Sequence, residues 1–221
     1  MGDPGDDARW SDVVNWVIQA LLSADELGIT QSTAQDMSTF DLLGEEFENL
    51  FISAVEASGN YGEIYARNME SIVPRGGLNS ISSGDSGRHY SYPFGSLDTV
   101  GSTPDGKLHE IMDRGELRCG VNSVPLFSTY NYDEWRWVGF DVDYCRALSA
   151  ALFSGDPTRV LFVKLTSSQR FNALASGEVD VLSRTTIHTL ARDILEQTSQ
   201  VGFTFSAPTY YDGLTYGGVA G

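Results

Sequence analysis

Apolar residues recur at helical spacing from near the start of the chain. In "ARWSDVVNWVIQALLSADELG", residues 8–28, Trp10, Val13, Val14, Val17, Leu21 and Leu22 share one broad face, and Gly28 supplies a stop, which predicts an amphipathic helix. At this spacing Trp10 and Trp16 read as core packing rather than as an aromatic platform for a ligand. The block "TAQDMSTFDLLGEEFENLFISAVEASGNYGEIYARNM" predicts two or three further helices, with Gly59 and Gly62 marking a junction. The first segment, residues 1–72, is therefore helical.

Residues 73–106 carry neither a helical nor a strand period and are rich in Gly, Ser and Pro, which predicts a linker or a long surface excursion. The pattern then changes over residues 107–221. "LHEIMDRGE" predicts a short helix, "LRCGV" a strand, "WRWVGF" a second strand, "DVDYCRALSAALF" a helix, "VLFVKL" a strand, "SSQRFNALASGE" a helix and "VDVLS" a strand. Strands that alternate with helices imply right-handed crossovers and a mostly parallel sheet flanked by helices, so the expected fold class is α/β. Ligands on such sheets sit beyond the carboxyl ends of the strands. Three segments reach that edge: "VNSVPLFSTYN", "TSSQR" and "SRTTIHTLAR".

A chain of 221 residues with 41% hydrophobic residues can bury a substantial core. Its 30 Asp and Glu against 14 Lys and Arg leave a formal charge of −16, which repels nucleic-acid phosphates and anionic membrane surfaces. No apolar run approaches the roughly 20 residues that span a bilayer, so no membrane span is expected. "MGDPGDDARW" lacks the basic start and apolar stretch of a signal peptide, and any such signal is expected to lie outside this chain.

Candidate chemistry is sparse. There is no GxSxG, P-loop or GxGxxG motif, and no Ser/His/Asp set with a supporting motif, so the chain does not read as an enzyme. His89, His109 and His188 are scattered and no CxxC or HExxH occurs, so neither a metal nor another cofactor is expected. Asp141 and Asp143 are assigned to capping the helix they open rather than to paired-carboxylate catalysis. Cys119 and Cys145, on a strand and the helix after it, leave two readings open: a disulfide in an oxidising compartment, or two buried thiols acting as small hydrophobes.

Several blocks carry a resemblance. "GELRCGV", "GFDVDYCRALSAALF", "RFNALASGEVDVLSRTT" and "TYYDG" resemble the amino-terminal part of polar and general L-amino-acid-binding proteins of ABC import systems, the type II periplasmic solute-binding proteins of family 3. "RWSDVVNWVIQALLSADELGIT" and "GNYGEIYARN" resemble the carboxy-terminal part of the same family, in reversed order. The resemblance implies a single periplasmic-binding-protein-like lobe, circularly permuted. Residues 1–72 stand for the end of lobe one, 73–106 for the join, and 107–221 for its beginning, together forming one domain. Lobe two is expected to be absent or to lie in sequence outside this chain. Surface termini that lie close together make such a permutation tolerable.

The resemblance also implies a site and an extracytoplasmic, non-catalytic role in amino-acid transport. Arg192 falls on the family's carboxylate-binding arginine, Thr185 and Thr186 on the polar positions before it, and Phe127 on an aromatic that stacks on the ligand. A planar guanidinium beside helix N-terminal amides is a strong receiver for a carboxylate. Ile187 and His188 depart from the family's usual polar residue and tryptophan, and Ile187 removes a ligand hydrogen bond. The expected partner is an amino acid or other small carboxylate, held weakly by a half-site, with a protein partner or dimer mate in place of lobe two. The competing expectation is an interaction subunit that docks through the former inter-lobe face.

Overall fold

The computed structural model describes residues 4–39, 47–80, 106–194, 196–197 and 199–212. Most of the expected linker, residues 81–105, therefore lies outside the described residues, as does "GLTYGGVAG". Helix α1 runs Pro4–Leu27 and buries Trp10, Val13, Val17 and Leu21. It stops where Gly28 takes a φ of 70°, a left-handed turn that costs glycine little. A 3-10 turn at Gln31–Asp36 leads on to α2, Leu50–Ser58, and α3, Tyr61–Asn68. The α2–α3 junction is built at Gly59 and Asn60. The Asn60 side chain accepts from the Glu63 amide while Glu63 Oε2 accepts from the Asn60 amide, a reciprocal capping box. Gly62 is not part of the break. It lies inside α3, where a Cβ would come within 2.3 Å of the Asp25 carboxylate.

The rest alternates helix and strand: α4 (Lys107–Arg114), β1 (Leu117–Val121), β2 (Thr129–Asn131), β3 (Arg136–Val138), α5 (Phe140–Leu152), β4 (Val160–Lys164), α6 (Arg170–Ala175), β5 (Val181–Leu182) and α7 (Leu190–Ile194). β4, β1 and β5 form a parallel sheet in that order, with Cys119 opposite Phe162 on one side and Val181 on the other. "WRWVGF" does not join this sheet. Asn131 Oδ1 accepts the amides of Asp133 and Glu134 at 2.9 and 3.1 Å, which folds the chain back, and β3 pairs antiparallel with β2 as a separate hairpin.

The central strand β1 shows why both faces are covered. Leu117, Cys119 and Val121 are fully buried toward α5, and Cys119 is joined to Cys145 of α5 by a disulfide with a Cα–Cα distance of 6.3 Å. On the other face Gly120 leaves room for Leu182, Leu165 and Val179, which a Cβ would meet at 2.6 to 3.4 Å. α6 closes that face through Ala173, packed with Leu165 and Val179. The main core takes Trp10, Leu21, Val55, Ile64 and Tyr65 from the N-terminal helices together with Ile111, Leu117, Phe140, Leu148 and Leu152. Helices distant in sequence thus share one apolar interior.

Buried charge ties these parts together. Asp180, whose side chain is 0% exposed, accepts from the Arg118 amide at 2.8 Å and pairs with Arg114 and with Lys107, the latter at 3.3 Å. Its backbone carbonyl accepts from Trp10 Nε1 of α1 at 3.0 Å. Asp141 and Asp143 do not cap α5. Gly139 holds the cap position with φ 134°, a conformation that brings the Phe127 carbonyl to within 2.3 Å of where a Cβ would sit. Asp143 instead receives Arg67 and Asn68 of α3 and Arg146 of α5 on its carboxylate, at 2.7 to 3.1 Å. Asp141 is buried with Oδ2 unpartnered, and burial raises its pKa to about 7 against the pull of Arg184.

Two outcomes follow from these carboxylates. Asp180→Ala strands the charges of Arg114 and Lys107 at the base of the sheet and is expected to cost about 3 kcal/mol, read as a lower urea midpoint at unchanged slope. Asp141 is protonated in the fold where the unfolded chain would ionise it, so it withdraws stability as pH rises from its ordinary range through about 7. Asp141→Asn is therefore expected to gain on the parent by about 2 kcal/mol more near pH 8 than near pH 5. A constant difference across that window in paired denaturation curves would refute it.

Candidate functional site

β1 lies between β4 and β5, so the chain reaches β4 on one side through α5 and then crosses to the other side through α6. Such a reversal of direction marks the carboxyl edge as the place where ligands of open α/β sheets bind. Asn122, directly after β1, is buried there. Ser128 Oγ donates to Asn122 Oδ1, and Asn122 Nδ2 donates to Thr185 Oγ1 at 2.8 Å. The Thr185 hydroxyl is thus held in place on an exposed residue, with its own proton free of any described acceptor. Ser183 Oγ donates to the Asp141 carbonyl at 2.8 Å, fixing the exit of β5 to the start of α5. Thr186 points its hydroxyl into the interior, where the oxygen is buried without a hydrogen-bond partner.

Arg192 lies in α7, half-buried. Its amide donates to the Thr189 carbonyl at 2.9 Å, Nη1 donates to the Ile187 carbonyl, and the guanidinium carbon stands 5.4 Å from the Phe171 ring centroid. α7 has five residues, too few for the helix N-terminus expected to help receive a carboxylate. Charge at this place comes from side chains. The Ile187 side chain is 75% exposed, and the His188 ring stacks on Phe205 with centroids 4.4 Å apart. The Asp193 side chain lies outside the described residues.

Phe127 is placed elsewhere. Its ring packs edge-on against Phe140 at 6.1 Å and Tyr210 at 5.3 Å, within the aromatic cluster that extends to Tyr65. Its carbonyl accepts from the Asp141 amide at 2.9 Å. Of the four residues expected to form one site, Thr185 bonds to Asn122, Arg192 meets Phe171 and Ile187, Phe127 packs with the core aromatics, and Thr186 has its hydroxyl buried with no hydrogen-bond partner among the described residues.

Two further arginines stand at this edge. Arg184 Nη1 donates to the carbonyls of Leu165 and Thr166, at 2.9 and 3.3 Å, and its Nε is buried without a partner. Arg170, at the start of α6, stands 4.7 Å from the Phe171 centroid, and its Nε is also buried and unpartnered. Burial lowers the pKa of Arg170, with repulsion from Arg192 adding to it and Glu196 opposing. Burial likewise lowers that of Arg184, with repulsion from Arg170 adding and Asp141 opposing. Both residues lie inside segments that the strand pattern brings to this edge, "TSSQR" and "SRTTIHTLAR". The pattern gives no means of ranking them against Arg192.

Residues 117–214 match the model of the bacterial extracellular solute-binding proteins, family 3. The chain is 42% identical over 106 residues to the general L-amino acid-binding periplasmic protein AapJ of Rhizobium johnstonii, covering 48% of this chain and 29% of that protein. It is 41% identical over 126 residues to the glutamate/glutamine/aspartate/asparagine-binding protein BztA of Rhodobacter capsulatus, covering 54% of this chain and 35% of that protein. Among solved structures, a periplasmic binding protein of an ABC transporter from Brucella ovis with glutathione bound is 53% identical over 39% of this chain and 26% of its own, with a TM-score of 0.37. The chain spans about a third of the length of the curated relatives it matches. These relatives are binding proteins of amino-acid import, not enzymes. The similarity to the bacterial extracellular solute-binding proteins, family 3, thus falls on the segment that begins at β1 and runs past α7, residues 117–214.

Proposed function

We propose that this chain is a non-catalytic, extracytoplasmic amino-acid-recognition domain, in which Arg192 receives the ligand's α-carboxylate and the Thr185 hydroxyl holds the same group from the β5 side. The observation that carries the reading is the half-buried Arg192 guanidinium at the carboxyl edge of the sheet, inside the family-matched segment, which among the described residues uses one donor, on the Ile187 carbonyl. Guanidinium and carboxylate are matched in geometry as well as charge. Thr186 is assigned to the interior and Phe127 to the wall behind the site, as its ring contacts imply. The N-terminal helices are read as the carboxy-terminal part of the same lobe, in permuted order. This is supported by the Trp10 bond to Asp180 and by the shared core.

A small ligand held on one side keeps part of its hydration, so a half-site binds in the millimolar range, about −4 kcal/mol. A partner chain or dimer mate that covers the edge would raise that affinity by excluding water. A second reading draws on Ile187, Leu190 and Ile194, which are 69 to 75% exposed around Arg192 and form an apolar rim of the kind that protein partners cover. Under it, the edge is a docking face and no longer a ligand site.

Calorimetric titration with L-amino acids at millimolar concentration separates the two. Saturable binding that Arg192→Ala weakens about tenfold or more is expected under the first reading. Silence across the panel, with concentration-dependent self-association or assembly that Ile194→Asp abolishes, would sink it in favour of the second.

A further inference from the structure

The hairpin of β2 and β3 carries an aromatic residue at every second position of both arms: Tyr130 and Tyr132 on the way out, Trp135 and Trp137 on the way back. Alternate residues of a strand leave the same face, and the register sets Tyr130 opposite Trp137 and Asn131 opposite Arg136. The Tyr130 ring meets Tyr132 at 5.1 Å and Trp137 at 5.6 Å between centroids, both edge-on, so these rings form one connected face. Its inner end rests on the domain. Trp137 packs against Phe162 of β4 at 6.4 Å, and its carbonyl accepts from Arg146 Nη2 of α5 at 2.6 Å. Because β4 and β5 flank β1, this contact lies across the sheet from the exit of β5 and its Thr185.

The outer end of the face is bare. Tyr132 is 74% and Trp135 76% exposed, and Trp135 makes no ring contact among the described residues. Trp135 also holds a φ of 51°, a left-handed conformation that is costly for a bulky residue. Between the two rings the chain turns on Asn131 Oδ1, which accepts the Asp133 and Glu134 amides. Glu134 pairs with Arg136, whereas the exposed Asp133 carboxylate has no ion pair among the described residues. One turn thus presents two aromatic side chains and an uncompensated negative charge.

These features select for a cation. The faces of aromatic rings attract positive charge, and Trp does so most strongly. The Asp133 carboxylate adds a direct attraction, and the chain's net charge of −16 adds a long-range field of the same sign. A saccharide or a neutral apolar partner would stack on the rings without using Asp133, and an acidic partner would be repelled. Among cations arginine fits this combination best, because its planar guanidinium stacks on a ring and offers a fork of donors to a carboxylate. Trp, Tyr and Arg are also the residues that carry most of the energy of protein interfaces.

We infer that the tip of the β2–β3 hairpin is a docking site for a partner protein, which seats an arginine side chain on Trp135 with Tyr132 and Asp133 beside it. The site stands apart from the carboxyl edge and does not depend on a ligand there.

The test titrates the full chain with a capped peptide of alternating Arg and Gly, followed by NMR at the amide and indole N–H signals, with a matched peptide in which citrulline replaces Arg. The Arg peptide is expected to shift the Trp135 indole signal and the Asp133 amide saturably, and the citrulline peptide to bind about fivefold more weakly. Read at the amides of residues 132 and 133, Trp135→Ala should weaken the Arg peptide about fivefold and Asp133→Asn about threefold. Both substitutions are at exposed positions, and the remaining signals should stay native. Equal binding of the citrulline peptide overturns the inference, as does Arg-peptide binding that survives Trp135→Ala or the lack of any saturable shift at the hairpin. Saturable binding of malto- or chito-oligosaccharides at Trp135 with none of the Arg peptide overturns it in favour of a sugar platform. Trp135 shifts that follow protein concentration without peptide overturn it in favour of a contact with a second copy of this chain.

Discussion

A single buried carboxylate sets the frame on which the rest of this structure is built. Asp180 cannot leave its charge unpaired in the interior, and its partners come from separate parts of the chain: Lys107 and Arg114 on α4, and the backbone amide of Arg118 at the start of β1. Its own backbone extends the same junction, donating to the Arg118 carbonyl and accepting from Trp10 of α1. Residues more than a hundred positions apart are thereby fixed to one point just before β5. The exit of β5, residues 183–186, inherits that position.

From there the chemistry of the edge follows. Because β1 lies between the two later strands and runs parallel to both, their carboxyl ends lie on one edge, and the polar residues that follow them are displayed there. Ser183 bonds back to α5 and Thr185 is held by Asn122, which leaves the guanidinium groups of Arg170, Arg184 and Arg192 as the chief charged feature of that edge. Arg170, Arg184 and Arg192, half-buried and without an ion pair among the described residues, maintain an unfavourable local field. Such a field is tolerable because the fold around it is held by other charges, notably the Asp180 and Asp143 clusters. The two clusters settle their charges internally.

Much of this was legible from residue spacing. The apolar period of α1 and its stop at Gly28, the alternation that gives β1, α5 and β4, and the assignment of the "SRTTIHTLAR" stretch to the carboxyl edge all depend on local order. Local order was enough because a helix face or a strand face is written in consecutive residues. The spacing misled at "WRWVGF", where a turn organised by Asn131 turned the segment into a hairpin. It also misled at Asp141 and Asp143, whose place at a helix start suggested capping. Their partners, Arg184, Arg67 and Asn68, come from elsewhere in the sequence and could not be seen in the segment itself.

The site divides in the same way. Sequence by itself determined that an arginine and hydroxyls follow one another in the stretch after β5, since that segment is contiguous, and a role toward a carboxylate is what its resemblance to a known family implies. Only the tertiary structure decided which residues share a neighbourhood. It turned Phe127 into the aromatic core, shortened α7 to five residues, and set Arg170 beside Arg192 across one phenylalanine ring. Periodicity records which way a side chain leaves its own element, whereas the distance between charges on different elements is fixed by how helices and strands pack around the common core.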